Sequence, residues 1–269
     1  MNEIIDNTNS SRRAMLRGAA LGAVGIAAAG FMMPGAAWAQ SSVGAIPSAI
    51  PGTGDIQVLN FALALEDLEA DLYVQALLRL TTGGTDPQAS STVGTIVGLG
   101  LSSSQLDVAY IQKFSKVEAA HRDFLKGALG AQAITTISPS KYDFGIQTMT
   151  RQQVLDLVLQ AEATGVQAYL GAIPSLTAQS KYLATAAAIQ GTEARHTSVL
   201  TIVRNILSSQ GVITDPIAPV APLKNDPGTT PTAGSYNAAT PNTGTPEGRD
   251  LFMAPTEVLN RVSPFIKKS

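Results

Sequence analysis

An all-α protein built on a four-helix bundle is predicted by three observations. Four long segments carry apolar residues at helical spacing. Each segment also carries a glutamate on its apolar stripe. On two of them a histidine follows that glutamate by three residues, in Glu118-Ala119-Ala120-His121 and Glu193-Ala194-Arg195-His196, and these are the chain's only 2 histidines. A three-residue step is about 300° of helical rotation, so each Glu and His project from one face and can grip a metal ion together. Two such pairs, with a lone glutamate from each of two other helices, make the ligand set of a carboxylate-bridged dinuclear metal site inside a four-helix bundle.

The first 39 residues read as an export address. Ser11-Arg12-Arg13-Ala14-Met15-Leu16-Arg17 resembles the twin-arginine motif, with Met15 where that motif usually has Phe. An apolar run from Gly18 to Met33 follows, then Pro34 and the small-x-small site Ala37-Trp38-Ala39. An uncleaved membrane anchor is the alternative. The glycines in the run, its marginal length for a span and the cleavage-type site favour removal, and with it a periplasmic or secreted protein. The predicted organisation is a signal peptide over 1–39, a bundle over 40–210 and a Pro/Gly/Thr-rich tail over 211–269.

Composition narrows the partners. The whole chain has a formal charge of −2, and removing three arginines, Glu3 and Asp6 with the leader makes it −3. There is no basic cluster and aromatic residues are only 5%, which argues against a nucleic-acid partner. With Cys 0, thiolate metal sites and thiol catalysis are excluded. Any metal must be held by oxygen and imidazole nitrogen.

Helix A is expected over roughly 55–80, with Leu59, Leu63, Glu66, Ala70, Tyr73 and Leu77 on one stripe. A Gly/Ser/Thr-rich insertion separates it from helix B, expected over 103–130 with its N-cap in the serine run 102–104. Helix B lines up Ile111, Phe114, Glu118, His121, Leu125 and Leu129. The stretch 131–149 has the length for the long B-to-C crossover of this class of bundle. Helix C, over 150–173, opens on Thr150 as N-cap and stops at Pro174. It stacks Leu155, Leu159, Glu162, Val166, Tyr169 and Ile173. A tight Pro174-Ser175-Leu176 turn leads to helix D, over 177–209, with Ile189, Glu193, His196, Leu200 and Val203. Residues 211–250 have the composition of an irregular tail. Val258, Leu259, Val262, Phe265 and Ile266 predict a short final helix near 255–266 that docks back on the bundle.

Helices A and B repeat in C and D. Glu66 is followed by Tyr73 and then Glu118/His121, and Glu162 by Tyr169 and then Glu193/His196, with the same Glu-to-Tyr step of two helical turns. A pseudo-twofold arrangement would set two half-sites face to face. Four carboxylates on stripes of Leu, Ile, Val, Ala and Phe are costly to bury, and two divalent cations would balance them. The alternative places these glutamates at helix edges facing water and makes both histidines ordinary core residues. Repetition of the whole set favours the metal reading, with Glu66, Glu118, His121, Glu162, Glu193 and His196 as ligands and Fe, Mn or Zn compatible with them. Glu118 and Glu193 are expected to bridge, Glu66 and Glu162 to be terminal. Glu69, one turn beyond Glu66, is the rival ligand on helix A. The Tyr spacing favours Glu66 and makes Glu69 a rim or supporting carboxylate. Tyr73 and Tyr169 are expected either to pack or to hydrogen-bond the opposite glutamates. Arg195 is expected to point to solvent.

With these residues the chain resembles the ferritin-like superfamily. The run Leu59-Asn60-Phe61-Ala62-Leu63-Ala64-Leu65-Glu66, continuing to Tyr73, is similar to helix A of bacterioferritins and rubrerythrins. Glu162-Ala163-Thr164-Gly165 is similar to their helix C. Leu65-Glu66-Asp67-Leu68-Glu69-Ala70 and the ending Thr256-Glu257-Val258-Leu259-Asn260-Arg261-Val262-Ser263-Pro264-Phe265 resemble exported ferritin-like proteins related to desiccation-associated proteins. The resemblance implies a ferritin-like bundle and a di-iron or di-manganese centre working on O2, peroxide or Fe2+ in stress protection. It equally allows a non-catalytic stress protein with a structural or vestigial site. No rubredoxin-like cysteine domain is present, and the insertion and tail would crowd a closed shell. A monomer or small homo-oligomer is therefore expected, not a 24-subunit cage.

Overall fold

In the computed structural model four long helices lie side by side: α1 (Asp55–Leu80), α2 (Leu106–Leu129), α3 (Arg151–Ala172) and α4 (Leu183–Ser209). The structure describes residues 45–87, 93–134, 142–177, 179–213 and 253–266. The expected leader over 1–39 and the polar stretch 214–250 lie outside the described residues. Among the described residues no helix is long and apolar enough to cross a membrane.

Side-chain pairs fix the helix directions. Lys126, late in α2, reaches Asp67 on α1, and Asn60, early in α1, donates to the carbonyl of Gln132 just past the end of α2, so α1 and α2 are antiparallel. Arg151 at the start of α3 clasps Asp107 at the start of α2 with bonds of 2.6 and 2.7 Å, so α2 and α3 are parallel. Arg204, late in α4, bonds Asp156, early in α3. Parallel α2 and α3 require a long crossover, and its described residues meet α1 towards both of its ends. The amide of Ile134 donates to Asn60, Gln75 donates to the carbonyl of Tyr142, and Arg79 donates to the carbonyl of Met149. Helix α1 is thereby enclosed on nearly every side, with Phe61, Leu63, Leu72 and Tyr73 all at or below 1% exposure. Each such side chain contributes about 1.5–3 kcal/mol by leaving water. That apolar burial carries the fold and tolerates the polar groups placed among it.

Helix ends show where local sequence decides and where it does not. Thr150 and Gln153 form a reciprocal capping box, and α3 passes into a 3-10 turn at Ile173–Ser175 containing Pro174. The serine run does not cap α2: the helix starts at Leu106, and the Ser102 hydroxyl instead accepts from the amide of Ser104. Helix α4 starts at Leu183 and not near 177, because the amide and hydroxyl of Thr177 both bond the Asp55 carboxylate at the start of α1. The C–D link is consequently longer than a three-residue turn. The A–B insertion contains an antiparallel pair, β1 (Gly83–Thr85) and β2 (Thr95–Val97), which helical periodicity could not reveal. Helix α5 (Pro255–Val262) and the 3-10 turn Ser263–Phe265 dock on the bundle as expected. Gly171 lets this segment cross α3, since a Cβ there would stand 2.1 Å from the carbonyl oxygen of Met253.

Candidate metal centre

The four helices bring six predicted side chains to one place. Glu66, Glu118, Glu162 and Glu193 have no exposed surface, and His196 is 3% exposed. The side chain of His121 is 14% exposed, but its Nδ1 faces inward. That nitrogen stands 2.9 Å from Glu118 Oε2, 3.3 Å from Glu66 Oε2 and 3.6 Å from Glu193 Oε1. His196 Nδ1 stands 2.7 Å from Glu118 Oε1 and 3.3 Å from Glu162 Oε1. Two sets of donor atoms result, each drawn together within 4.8 Å: Glu66, Glu118, His121 and Glu193 in one, Glu118, Glu162 and His196 in the other. Glu118 belongs to both sets, whereas Glu193 belongs to the first alone.

The tyrosines cross over. The Tyr73 hydroxyl donates to Glu162 Oε1, and the Tyr169 hydroxyl donates to Glu66 Oε1 at 2.5 Å. Each half of the repeat thus holds a glutamate of the other half: Glu66 keeps its second oxygen towards His121, while Glu162 Oε1 lies near both the Tyr73 hydroxyl and His196 Nδ1. Phe114, one turn before Glu118 on the same stripe, stacks on the His196 ring with centroids 3.7 Å apart. Its place on the stripe was visible in the sequence, but its partner was not. Arg195 is exposed and donates to Thr192 on its own helix.

Many polar atoms of this cluster are orphaned. Glu66 Oε2, Glu118 Oε1, Glu162 Oε2, both oxygens of Glu193 and His196 Nδ1 are buried without a hydrogen-bond partner. His196 Nδ1 and Glu118 Oε1 approach closely, yet not in hydrogen-bond alignment. Leaving one buried polar group unsatisfied costs about 1–3 kcal/mol, and more if it is charged. Six such atoms together would rival the ~5–15 kcal/mol by which a whole domain is stable. Cations coordinated by these atoms remove that cost, and mixed carboxylate and imidazole donors suit a divalent transition metal. The residues present fit such a group.

Electrostatics agree. Burial pushes Glu66 up to about 7, with the neighbouring Glu118 adding to the rise. Burial and the surrounding carboxylates likewise raise Glu162, and Glu193 well above the usual range. Burial works against the charged forms of Glu118 and the histidines too, but their mutual contacts prevail. Glu118 is held below its ordinary value, while His121 rises to about 10 and His196 to about 9. Without metal, the cluster balances its charge by holding protons.

Glu69 is not at the rim. It is 3% exposed, its Oε2 lacks a partner, and burial pushes its carboxyl well above the usual range. It belongs to neither donor set. Its counterpart in the repeat, three residues after Glu162, is Gly165. A Cβ at Gly165 would stand 2.7 Å from Glu193 Oε2 and 3.3 Å from Glu69 Oε1. One half of the repeat therefore carries an extra carboxylate and the other carries the gap that admits it. The two offsets from the paired glutamates were the available sequence signal for this.

The fold and the centre define a helical bundle protein able to bind metal through carboxylate and histidine. The chain belongs to the ferritin-like domain family, whose sequence pattern matches residues 54–206, more than half of its length. No curated protein and no solved structure matches the chain.

Proposed function

We propose that this is an exported ferritin-like protein that holds two divalent ions, Fe or Mn, and uses them on O2, peroxide or Fe2+ in stress protection. Glu66, Glu193 and His121 would hold one ion, Glu162 and His196 the other, with Glu118 between them. The observation that carries this reading is the set of orphaned, inward-facing oxygen and nitrogen atoms shared out between two histidines. Bound iron or manganese would supply a pair of one-electron redox centres.

The chain's own residues do the rest. Tyr73 and Tyr169 orient Glu162 and Glu66 through single hydrogen bonds. Phe114 fixes the plane of His196 and keeps water from that side. His121 is the more open of the two imidazoles and would be the side nearer to solvent for an arriving ion. Export rests on the twin-arginine-like leader, and the kinship with desiccation-associated proteins on the motifs at 65–70 and 256–265.

Elemental analysis of the exported protein, with O2 and H2O2 consumption measured on the same sample, tests the reading. About two Fe or Mn per chain together with consumption of either oxidant is expected. Metal without consumption would favour a structural site, and protein that binds neither metal would overturn the proposal.

A further inference from the structure

A cleft outside the cluster leads to its wall. It lies between α1, α3 and the C-terminal segment, with about 30 Å³ of cavity volume, room for about two water-sized molecules. Leu65, Leu68 and Leu72 of α1 form one side, and Phe144, Val262 and Phe265 form the other. Its outer rim carries the exposed Gln160 and Arg261, and its inner end is Glu69 with Gly165. Glu69 Oε1 and Glu193 Oε2 both lie within 3.3 Å of the point where a Cβ on Gly165 would stand. The cleft and the metal centre therefore share one thin partition, and the missing side chain at 165 keeps it thin.

The outer wall is held at both ends. The amide of Met253 donates to the carbonyl of Gln167 at 3.0 Å, and the amide of Asp143 donates to the carbonyl of Phe265 at 2.9 Å. Arg261 adds bonds to Thr164 and Gln167 across the rim. The cleft is thus a fixed feature between packed elements.

We propose that this cleft admits small uncharged molecules of the size of dioxygen to the centre, with Glu69 as the gate at its inner end. The dioxygen assignment rests on the metal reading above. Its small volume and largely apolar walls suit a molecule of two or three heavy atoms and offer an ion little to replace hydration. Ions would approach from the partly open His121 side instead.

Xenon, an apolar probe of similar size, separates the two claims. Crystals of the metal-free and metal-loaded protein under xenon pressure should each show an atom between Leu68, Phe144 and Phe265. In Glu69→Ala, xenon should move or extend inward to Gly165. Leu157→Trp, at a position of α3 that also lines the cleft, and Phe265→Trp on the C-terminal segment should each slow oxidation of the ferrous-loaded protein by dioxygen at least tenfold while Fe2+ stoichiometry stays unchanged. No xenon in the cleft, or wild-type oxidation rates in both folded tryptophan variants, would overturn the proposal. Xenon that stays in place in Glu69→Ala would remove Glu69 as the gate. Wild-type protein that took up no metal would defeat the functional reading instead, and xenon beside Glu69 would still establish the cleft as a site for small apolar molecules.

Discussion

The two halves of the bundle carry the same motif and give it different surroundings. In the half built on α1 and α2, His121 is partly open and three carboxylates surround its Nδ1. In the half built on α3 and α4, His196 is buried, stacked on Phe114 and faced by two carboxylates. One half has Glu69 where the other has Gly165. A repeated sequence has thus produced a centre with one open side and one closed side. The repeat explains the paired donor residues, and the departures from it explain why their surroundings differ.

The largest effect that can test this asymmetry belongs to Glu118 and Glu193, the glutamates of the two Glu-x-x-His pairs. Glu118 touches both histidines, whereas Glu193 shares a donor set only with the open side. Glu118→Ala should abolish binding of both ions, and Glu193→Ala should leave one, held near His196, when metal is counted by elemental analysis. Helical circular dichroism should persist in both, since the rest of each stripe still packs. Equal loss in the two variants would mean that both glutamates bridge and that the halves are equivalent.

Metal removal and pH come next. Burial and neighbouring carboxylates raise Glu66 to about 7, and contacts with carboxylates raise His121 to about 10 and His196 to about 9. Each of these groups binds its proton more tightly folded than unfolded. Their contribution is present in acid and lost as pH rises, between the ordinary carboxylate range and about 7 for Glu66 and between about 6.5 and 9–10 for the histidines. Glu118, held low by its contacts with the histidines, acts in the opposite sense and only below the ordinary carboxylate range. The metal-free protein should therefore melt at a lower temperature at pH 9 than at pH 6. Metal competes with the same protons, so the loaded form should gain over the metal-free form as pH rises. A metal-free melting temperature that climbs between those pH values would refute the proton-holding cluster.

Much of this was legible because a buried carboxylate on an apolar stripe is so costly that its placement signals a partner. The helices, Glu66 to Tyr73 and Glu162 to Tyr169 all follow from spacing along one element. What escaped the sequence depends on pairings between elements. Thr177 is drawn out of helix D by Asp55, and Arg151 finds Asp107 across 44 residues. Strands of three residues, one of them Gly83–Thr85, are too short to show an alternation. Glu69 looked peripheral because its partner position, Gly165, contributes only an absence.

A third test compares the histidines as packing groups. In the metal-free protein both rings meet carboxylates, but only His196 also stacks on an aromatic side chain. Such pairs contribute about 0.5–1.5 kcal/mol beyond area burial. His196→Ala should therefore destabilise the metal-free fold by about 1 kcal/mol more than His121→Ala in chemical denaturation. Equal destabilisation would show that Phe114 adds no stability and serves only to orient the ring.

The tyrosines supply the smallest and most local test. Tyr73 holds Glu162, which belongs to the closed side, and Tyr169 holds Glu66, which belongs to the open side. Tyr73→Phe and Tyr169→Phe each delete one hydroxyl and keep the ring, so packing is preserved while one carboxylate loses its orienting bond. Supporting bonds of this kind change metal affinity by about 10–100-fold. Because the bonds cross between halves, Tyr73→Phe should weaken the ion near His196 although Tyr73 lies on α1, and Tyr169→Phe should weaken the ion near His121. Chelator competition that resolves two binding steps, combined with the His121→Ala and His196→Ala backgrounds, assigns each loss to its side. In His196→Ala only the open side remains, so adding Tyr73→Phe should change little and adding Tyr169→Phe should cost the full factor. The reverse pattern would mean that each tyrosine serves its own half and that the crossing bonds do not position the ligands.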